Sequence, residues 1–388
     1  MRLRRQLASL LVAFCVCVAL SAAAQDHARL VVDAAPFGPR AAAGAVLWNH
    51  GGEAPLQADP APAVFVELLR TQGFDVFRLE RRPEGDTIRA STRAVVAAAR
   101  ELRGRGYGRL VIAGHSAGGW IALASAAAVS GLAEAVVAMA PAAHGRVSVD
   151  PERARRNRDE LLEIARAIEG TRVMVFLFAD DDFDPGERGP ALVAQLQRRG
   201  VTHLIVDRPP GWRGHAVGLT RAFARRFGSC IVGFVVAAAP VPAGCDRNPV
   251  AEVPFEFAPA PLPARPAAND NTVLGPFLGT WRGSLENGDD VQLVVEGGTA
   301  DRVRGLFARG RSRAEARDEA FNLPQLGRYD PTLDALVFEM RPGQRIVARR
   351  QDDRRLAVTV AHPGPLAQIS GALERQDWTT AAARALSP

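Results

Sequence analysis

Residues 109–119 read R-L-V-I-A-G-H-S-A-G-G, and this stretch restricts the possible folds more than any other part of the chain. Arg109 to Ala113 is an apolar, β-branched run that stops at glycine and serine, so it reads as a buried strand closed by a tight turn. From Gly118 to Val129 the residues are small, apolar and helix-prone, which makes the turn a strand-to-helix junction. Gly114-His115-Ser116-Ala117-Gly118 is therefore a G-x-S-x-G in a strand–turn–helix setting. At such an elbow the serine takes a strained backbone conformation, and the flanking glycines let strand and helix pass close to each other. The hydroxyl then stands at the first turn of a helix, where backbone N–H groups face any anion that forms. A glycine-rich turn with a solvated serine is the competing reading, and the flanking elements decide between the two.

Strand and helix patterns alternate around this point. Gly44 to Trp48 is an apolar strand running into Asn49-His50-Gly51-Gly52; Ala61 to Thr71 has helical spacing; Phe74 to Leu79 is a strand; and Thr87 to Arg103 is an amphipathic helix. After the elbow come a strand from Ala135 to Met139, a helix capped by Asp150-Pro151, a strand from Val173 to Phe178, a helix from Glu187 to Arg199 and a strand from Thr202 to Asp207. The rhythm predicts an α/β domain with a doubly wound, mostly parallel sheet covered by helices on both sides. Only residues 142–170 separate two of its strands, room for one helix, so no helical cap is expected and the site should be open.

Two loops at the predicted C-terminal edge of the sheet carry chemistry, and that edge is where open α/β sheets place their sites. One is Ala179-Asp180-Asp181-Asp182-Phe183-Asp184-Pro185; the other is Gly211-Trp212-Arg213-Gly214-His215. Such a carboxylate cluster also suits a hard cation such as Ca²⁺, although its spacing fits no recognised loop. Trp212 either lines a pocket beside His215 or packs. His144, His203 and His362 have no partner visible in the sequence.

Through H-G-G, G-H-S-A-G, the A-D-D-D loop and G-H, residues 28 to 236 resemble the α/β-hydrolases, most nearly the dienelactone-hydrolase-like and small-esterase branches. The resemblance implies a Ser116, acid, His215 triad in that chain order. It places the acid three residues after the small residue ending its strand, which points to Asp182 over Asp180, Asp181 and Asp184. It also assigns the oxyanion hole to the N–H groups of Gly52, in H-G-G, and Ala117, with His50 and His115 shaping the two turns. The chemistry implied is an acyl-enzyme serine hydrolase acting on a small or polymeric ester, needing no metal or organic cofactor. A peptidase or thioesterase would use the same groups, and a non-catalytic binding protein on this scaffold is the reading from another class.

Composition narrows the alternatives. The chain of 388 residues contains no lysine, so its 48 basic residues are all arginine, which excludes P-loop phosphate binding, Schiff-base chemistry and kinase-type catalysis. Met1 to Ala24 has an arginine-bearing start, an apolar run and an Ala-Ala-Ala end, the pattern of a secretory signal peptide cut before Gln25. The apolar run is short for a membrane span, so no stable membrane insertion is expected after cleavage and the mature protein would be periplasmic or secreted. Cleavage removes three arginines from a net charge of +6, leaving +3, and the arginines are scattered among acids; nothing suggests nucleic acid as a partner. Cys230 and Cys245 remain, and in an exported protein they suggest a disulfide, two free thiols being the alternative.

The remainder divides in two. Residues 237–272 are rich in proline and alanine and read as a semi-extended linker between a catalytic domain, 25–236, and a second domain, 273–378. In the second, short period-two runs at 291–295, 302–307, 335–340, 345–349, 356–360 and 368–373 predict an antiparallel β-barrel or curved sheet. Its start, Leu278-Gly279-Thr280-Trp281, resembles the G-x-W opening of lipocalin-like barrels. A proline-rich connection with few large apolar residues predicts that the two halves separate.

Overall fold

In the computed structural model the described residues are 28–52, 61–83, 85–236, 245, 253–255, 273–310, 321–341, 344–361 and 368–376. The expected signal peptide and most of the expected linker, together with His362, lie outside them.

The first sheet has seven strands: β1 (Ala28–Ala34), β2 (Gly44–Asn49), β3 (Phe74–Arg81), β4 (Leu110–His115), β5 (Ala135–Met139), β6 (Arg172–Leu177) and β7 (His203–Asp207), in the spatial order β1-β3-β2-β4-β5-β6-β7. Only the β1–β3 pair is antiparallel. Strands β2, β4 and β5 are buried at every residue, as continuous apolar runs require when both sheet faces are covered. Alternate residues serve opposite faces. Ala45, Leu47, Ile112, Val136 and Val175 join one core with Trp120 and Leu123 of α3 (Ala117–Ala128), Val95 and Leu102 of α2 (Ile88–Gly104) and Leu161 of α4 (Pro151–Ala167). Trp48, out of phase with them, meets Phe65 of α1 (Val64–Thr71) edge-on at 6.0 Å. This is the architecture of the α/β-hydrolases, as the sequence predicts. A single helix, α4, lies between β5 and β6; it opens with Pro151 behind Asp150, whose carboxylate accepts the Arg153 N–H at 2.9 Å. The helices α5 (Arg188–Arg198) and α6 (Arg221–Val236) follow, and Cys230 of α6 is disulfide-bonded to Cys245. Closing that loop stabilises the fold by about 3 kcal/mol on a chain-entropy argument.

The second sheet closes on itself in the order β10-β11-β12-β13-β14-β15-β8-β9, an eight-stranded antiparallel barrel. Its strands are β8 (Gly279–Leu285), β9 (Asp290–Thr299), β10 (Arg302–Arg309), β11 (Phe321–Asp330), β12 (Ala335–Arg341), β13 (Gln344–Arg350), β14 (Arg355–Ala361) and β15 (Gln368–Gln376). The period of two shows in β14, where Leu356, Val358 and Val360 face the core and their neighbours do not. Trp281 is fully buried in that core, and its indole N–H donates to the Phe277 carbonyl at 2.7 Å. The sequence pattern misses β8 and β11. In β11, Pro324 breaks the strand signal, but it pairs with Leu306 of β10, and the pairing of β11 with β12 begins only at Gly327. The proline thus sits where the strand has a ladder on one side only.

By spatial closeness of its backbone the chain forms two compact units, each built from several segments. One is built on the seven-stranded sheet. The other holds the barrel together with 178–180 and 208–229, so the loop carrying His215 groups with the barrel.

Candidate active site

The serine elbow has the predicted local structure. Ser116 lies between β4 and α3 with φ 56° and ψ −124°, a left-handed conformation costing an L-residue about 1–3 kcal/mol. Its N–H donates to Met139 O at 2.9 Å, and its carbonyl accepts from Trp120 N at 3.0 Å and Ala142 N at 3.1 Å, so the strained residue is tied to β5 and to its own helix. The flanking glycines are needed for clearance. A β-carbon on Gly114 would lie 2.8 Å from Gly119 N, and one on Gly118 would overlap the carbonyl oxygens of Asn49 and His50.

Strain is spread along the same edge. Non-glycine residues with positive φ follow each of four parallel strands: Ser116 (56°) after β4, Ala140 (44°) after β5, Asp180 (53°) after β6 and Arg208 (47°) after β7. Backbone strain of this kind collects where function needs a fixed, unusual chain path.

The H-G-G loop leaves β2 beside the elbow. Gly52 is exposed, and a β-carbon on it would sit in ordinary contact, 3.5 Å, with the Ala117 β-carbon, so the two expected oxyanion donors belong to adjacent backbone segments. Behind the loop stands Arg81, the last residue of β3, with its side chain fully buried. Its Nη2 donates to His50 O at 2.7 Å and to Gly51 O at 3.1 Å, and its Nε lies 3.5 Å from Asp86 Oδ1. Asp86 Oδ1 in turn accepts from Ser91 Oγ at 2.5 Å. Burial, reinforced by the Arg81 charge, pushes the His50 imidazole down to about 4, and burial also lowers the Arg81 guanidinium despite the Asp86 carboxylate. Nothing in the sequence singles out Arg81 except a charge closing an apolar strand at the functional edge.

The acidic loop distributes its carboxylates among different partners. Asp180 is exposed and ion-paired with Arg213. Asp181 is 5% exposed, and its Oδ1 accepts the Phe183 N–H at 2.9 Å. Asp182, the position the family pattern favours, has both oxygens on Ser148: Oδ1 accepts its N–H at 2.9 Å and Oδ2 its hydroxyl at 2.5 Å. Asp184 accepts from Arg188 Nε at 2.8 Å, and Arg188, itself buried, donates from Nη1 to Pro141 O at 2.6 Å. Among the described residues no group of three or more His, Cys, Asp or Glu side chains is arranged to hold a metal ion.

His215 is half-buried in the loop between β7 and α6. That loop meets the start of the acidic loop through a parallel bridge between Arg213 and Ala179 and a 2.7 Å bond from Gly214 N to Ala179 O. Trp212 is a packing residue, edge-on to Phe223 at 6.1 Å and to Phe227 at 5.3 Å. Of the other histidines, His144 bonds Glu160 at 2.6 Å and His203 bonds Val201 O at 2.7 Å. No helix among the described residues is long and apolar enough to cross a membrane.

No protein-family model and no curated protein matches the chain. Among solved structures it is similar to a monoacylglycerol lipase of Paleococcus ferrophilus, with 16% identity over 54% of this chain and 98% of that one, at a TM-score of 0.41. It is also similar to Est1E of Butyrivibrio proteoclasticus, with 18% identity over 48% and 85% of the two chains and a TM-score of 0.35. Dipeptidyl peptidase 4 of Porphyromonas gingivalis shows 18% identity over 49% of this chain but only 30% of its own length, at a TM-score of 0.38. Likenesses of this size leave the chemistry to be read from the residues themselves.

Proposed function

We propose that the protein is an exported serine hydrolase that cleaves carboxylic esters through an acyl-enzyme. The observation that carries this reading is Ser116, held at φ 56° on a strand-to-helix elbow with the Gly52 backbone against Ala117. Ser116 Oγ attacks the ester carbonyl while His215 takes its proton. The tetrahedral oxyanion accepts hydrogen bonds from the N–H groups of Ala117 and Gly52, each donor worth about 10²–10³ in kcat. Collapse expels the alcohol, protonated by His215; water then attacks the acyl-enzyme with His215 again as base, releasing the acid and restoring the serine.

For the residue that orients His215, chain position favours Asp182, whereas burial favours Asp181. A triad acid is buried with an oxygen turned to the imidazole. Asp181 is buried, while Asp182 is occupied by Ser148 on both oxygens. We therefore take Asp181 as the first choice and Asp182 as the second. Export rests on the N-terminal pattern and agrees with the Cys230–Cys245 disulfide.

The test is labelling of the purified protein with a fluorophosphonate, followed by turnover of a panel of esters, thioesters and amides. Labelling at Ser116 together with hydrolysis of short esters is expected. A wild-type protein that neither labels nor turns over any of them would return the scaffold to a binding role.

A further inference from the structure

We propose that Arg81 is the positioning residue of the oxyanion hole: by holding the carbonyl oxygens of His50 and Gly51 it fixes the direction of the Gly52 N–H. The inference rests on the hydrolase reading above and concerns the same site.

In a trans peptide the C=O and the following N–H point in opposite directions. With Gly51 O bound to Arg81 Nη2 at 3.1 Å, the N–H of Gly52 must face away from the guanidinium. The preceding peptide is held by the same nitrogen, through His50 O at 2.7 Å, so the peptides on both sides of Gly51 are tied to one guanidinium. His50 adds a second restraint: its Nδ1 lies 2.6 Å from Gly51 O, and because a carbonyl oxygen can only accept, this contact is an N–H donated by the imidazole.

Without such a clamp, a Gly51-Gly52 pair has unusually wide backbone freedom. An oxyanion donor is useful only if it is aimed before the charge develops, because reorienting it during the reaction would cost much of what it contributes. Arg81 suits the task since its Nη2 carries two N–H donors, one for each carbonyl oxygen, on a rigid planar group. Its own position is fixed from behind, by Asp86 beside Nε and Ser91 on Asp86. The guanidinium does not touch the reacting atoms in this scheme; it acts through the loop.

The proposal predicts a particular split in kinetics. A misaimed N–H weakens binding of the tetrahedral state and leaves the ground-state ester almost untouched. On a p-nitrophenyl ester, Arg81→Met should lower kcat by about 10²-fold, the usual effect of losing one oxyanion donor, with KM changed by less than about 3-fold. Affinity for a trifluoromethyl ketone, which forms the tetrahedral adduct, should fall in parallel with kcat/KM, and Arg81→Lys should lie between the two. Asp86→Asn, which keeps the guanidinium and removes its carboxylate, should lower kcat several-fold in the same pattern and serves if Arg81→Met does not fold. Unchanged kcat in a folded Arg81→Met or in Asp86→Asn would overturn the proposal, as would a rise in KM with unaltered ketone affinity. Ser116→Ala separates the two levels: if it retains the wild-type rate, the hydrolase reading falls and takes this assignment with it, whereas a dead Ser116→Ala beside a fully active Arg81→Met removes the role of Arg81 alone.

Discussion

Gly118 passes so close to the end of β2 that a β-carbon there would overlap the carbonyl oxygen of Asn49. The obstacle is backbone on both sides, so neither can move without displacing the strand or the helix. Gly118→Ala should therefore destabilise the fold by roughly 1–3 kcal/mol or more and shift the H-G-G loop with it. Urea midpoints would measure the first effect and kcat on a small ester the second; an alanine tolerated without loss in either would mean that the elbow is less tightly packed than its geometry requires.

The strain at Ser116 gives a prediction in the opposite direction. Glycine adopts φ 56° at little cost, so Ser116→Gly should raise stability by about 1 kcal/mol, roughly 2–4 °C in Tm, while abolishing turnover. Ser116→Ala should abolish turnover as well but keep the β-carbon and hence the strain, leaving Tm near that of the wild type. Equal melting temperatures for the glycine and alanine variants would show that the elbow stores no usable strain.

Asp181 and Asp182 can be told apart by what each loses. Asp181→Asn should lower kcat by about 10³–10⁴-fold, since an amide favours the wrong imidazole tautomer. Asp182→Asn should act chiefly on stability, because it weakens the bonds from Ser148 that tie the loop after β5 to the loop after β6; Ser148→Ala should mimic it. A steady-state comparison of these variants decides the assignment, and a larger kcat loss in Asp182→Asn would reverse it.

His50 supplies a pH signature. Its folded value of about 4 lies below the ordinary 6.5, so between those limits the unfolded chain binds a proton that the folded chain refuses. Stability from this group is therefore complete above pH 6.5 and is lost as pH falls toward 4. Urea midpoints for the wild type should drop across that window more steeply than those for His50→Gln; parallel curves would mean that His50 is not held neutral in the fold.

Much of this organisation was legible in the sequence because its signals are local. The β-branched run at 109–113, the glycines that follow and the histidine–glycine pair after β2 each report on a few consecutive residues, and the structure builds from them the expected strand, turn and helix. What escaped depends on distant partners or on the exact path of a loop. Arg81 matters through residues about thirty positions earlier in the chain. β11 was hidden by Pro324, which interrupts the alternating strand signal although the residue pairs with Leu306 of β10.

The proline-rich connection suggests halves that separate, but contacts within the barrel unit lead to a different expectation. The turn joining β8 to β9 reaches both sides of His215: Arg213 N donates to Glu286 O at 3.0 Å, and a β-carbon on Gly288 would lie 2.8 Å from the Thr220 β-carbon. Farther along α6, Arg225 is buried, ion-paired with the buried Asp290, and donates to Ser284 Oγ at 3.1 Å. Removing the barrel would leave that guanidinium without its carboxylate, and breaking a buried pair from one side costs about 3–5 kcal/mol. A chain ending after Cys245 should therefore be poorly soluble, or fold with kcat on a small activated ester reduced at least about tenfold as the His215 loop loses its support. In the full-length protein, Asp290→Ala should lower both Tm and kcat, whereas Asp290→Ala combined with Arg225→Met, which removes the stranded charge, should recover much of the stability. If the truncated chain hydrolyses the ester at the full-length rate, the barrel plays no part in holding His215 and its role lies in binding alone.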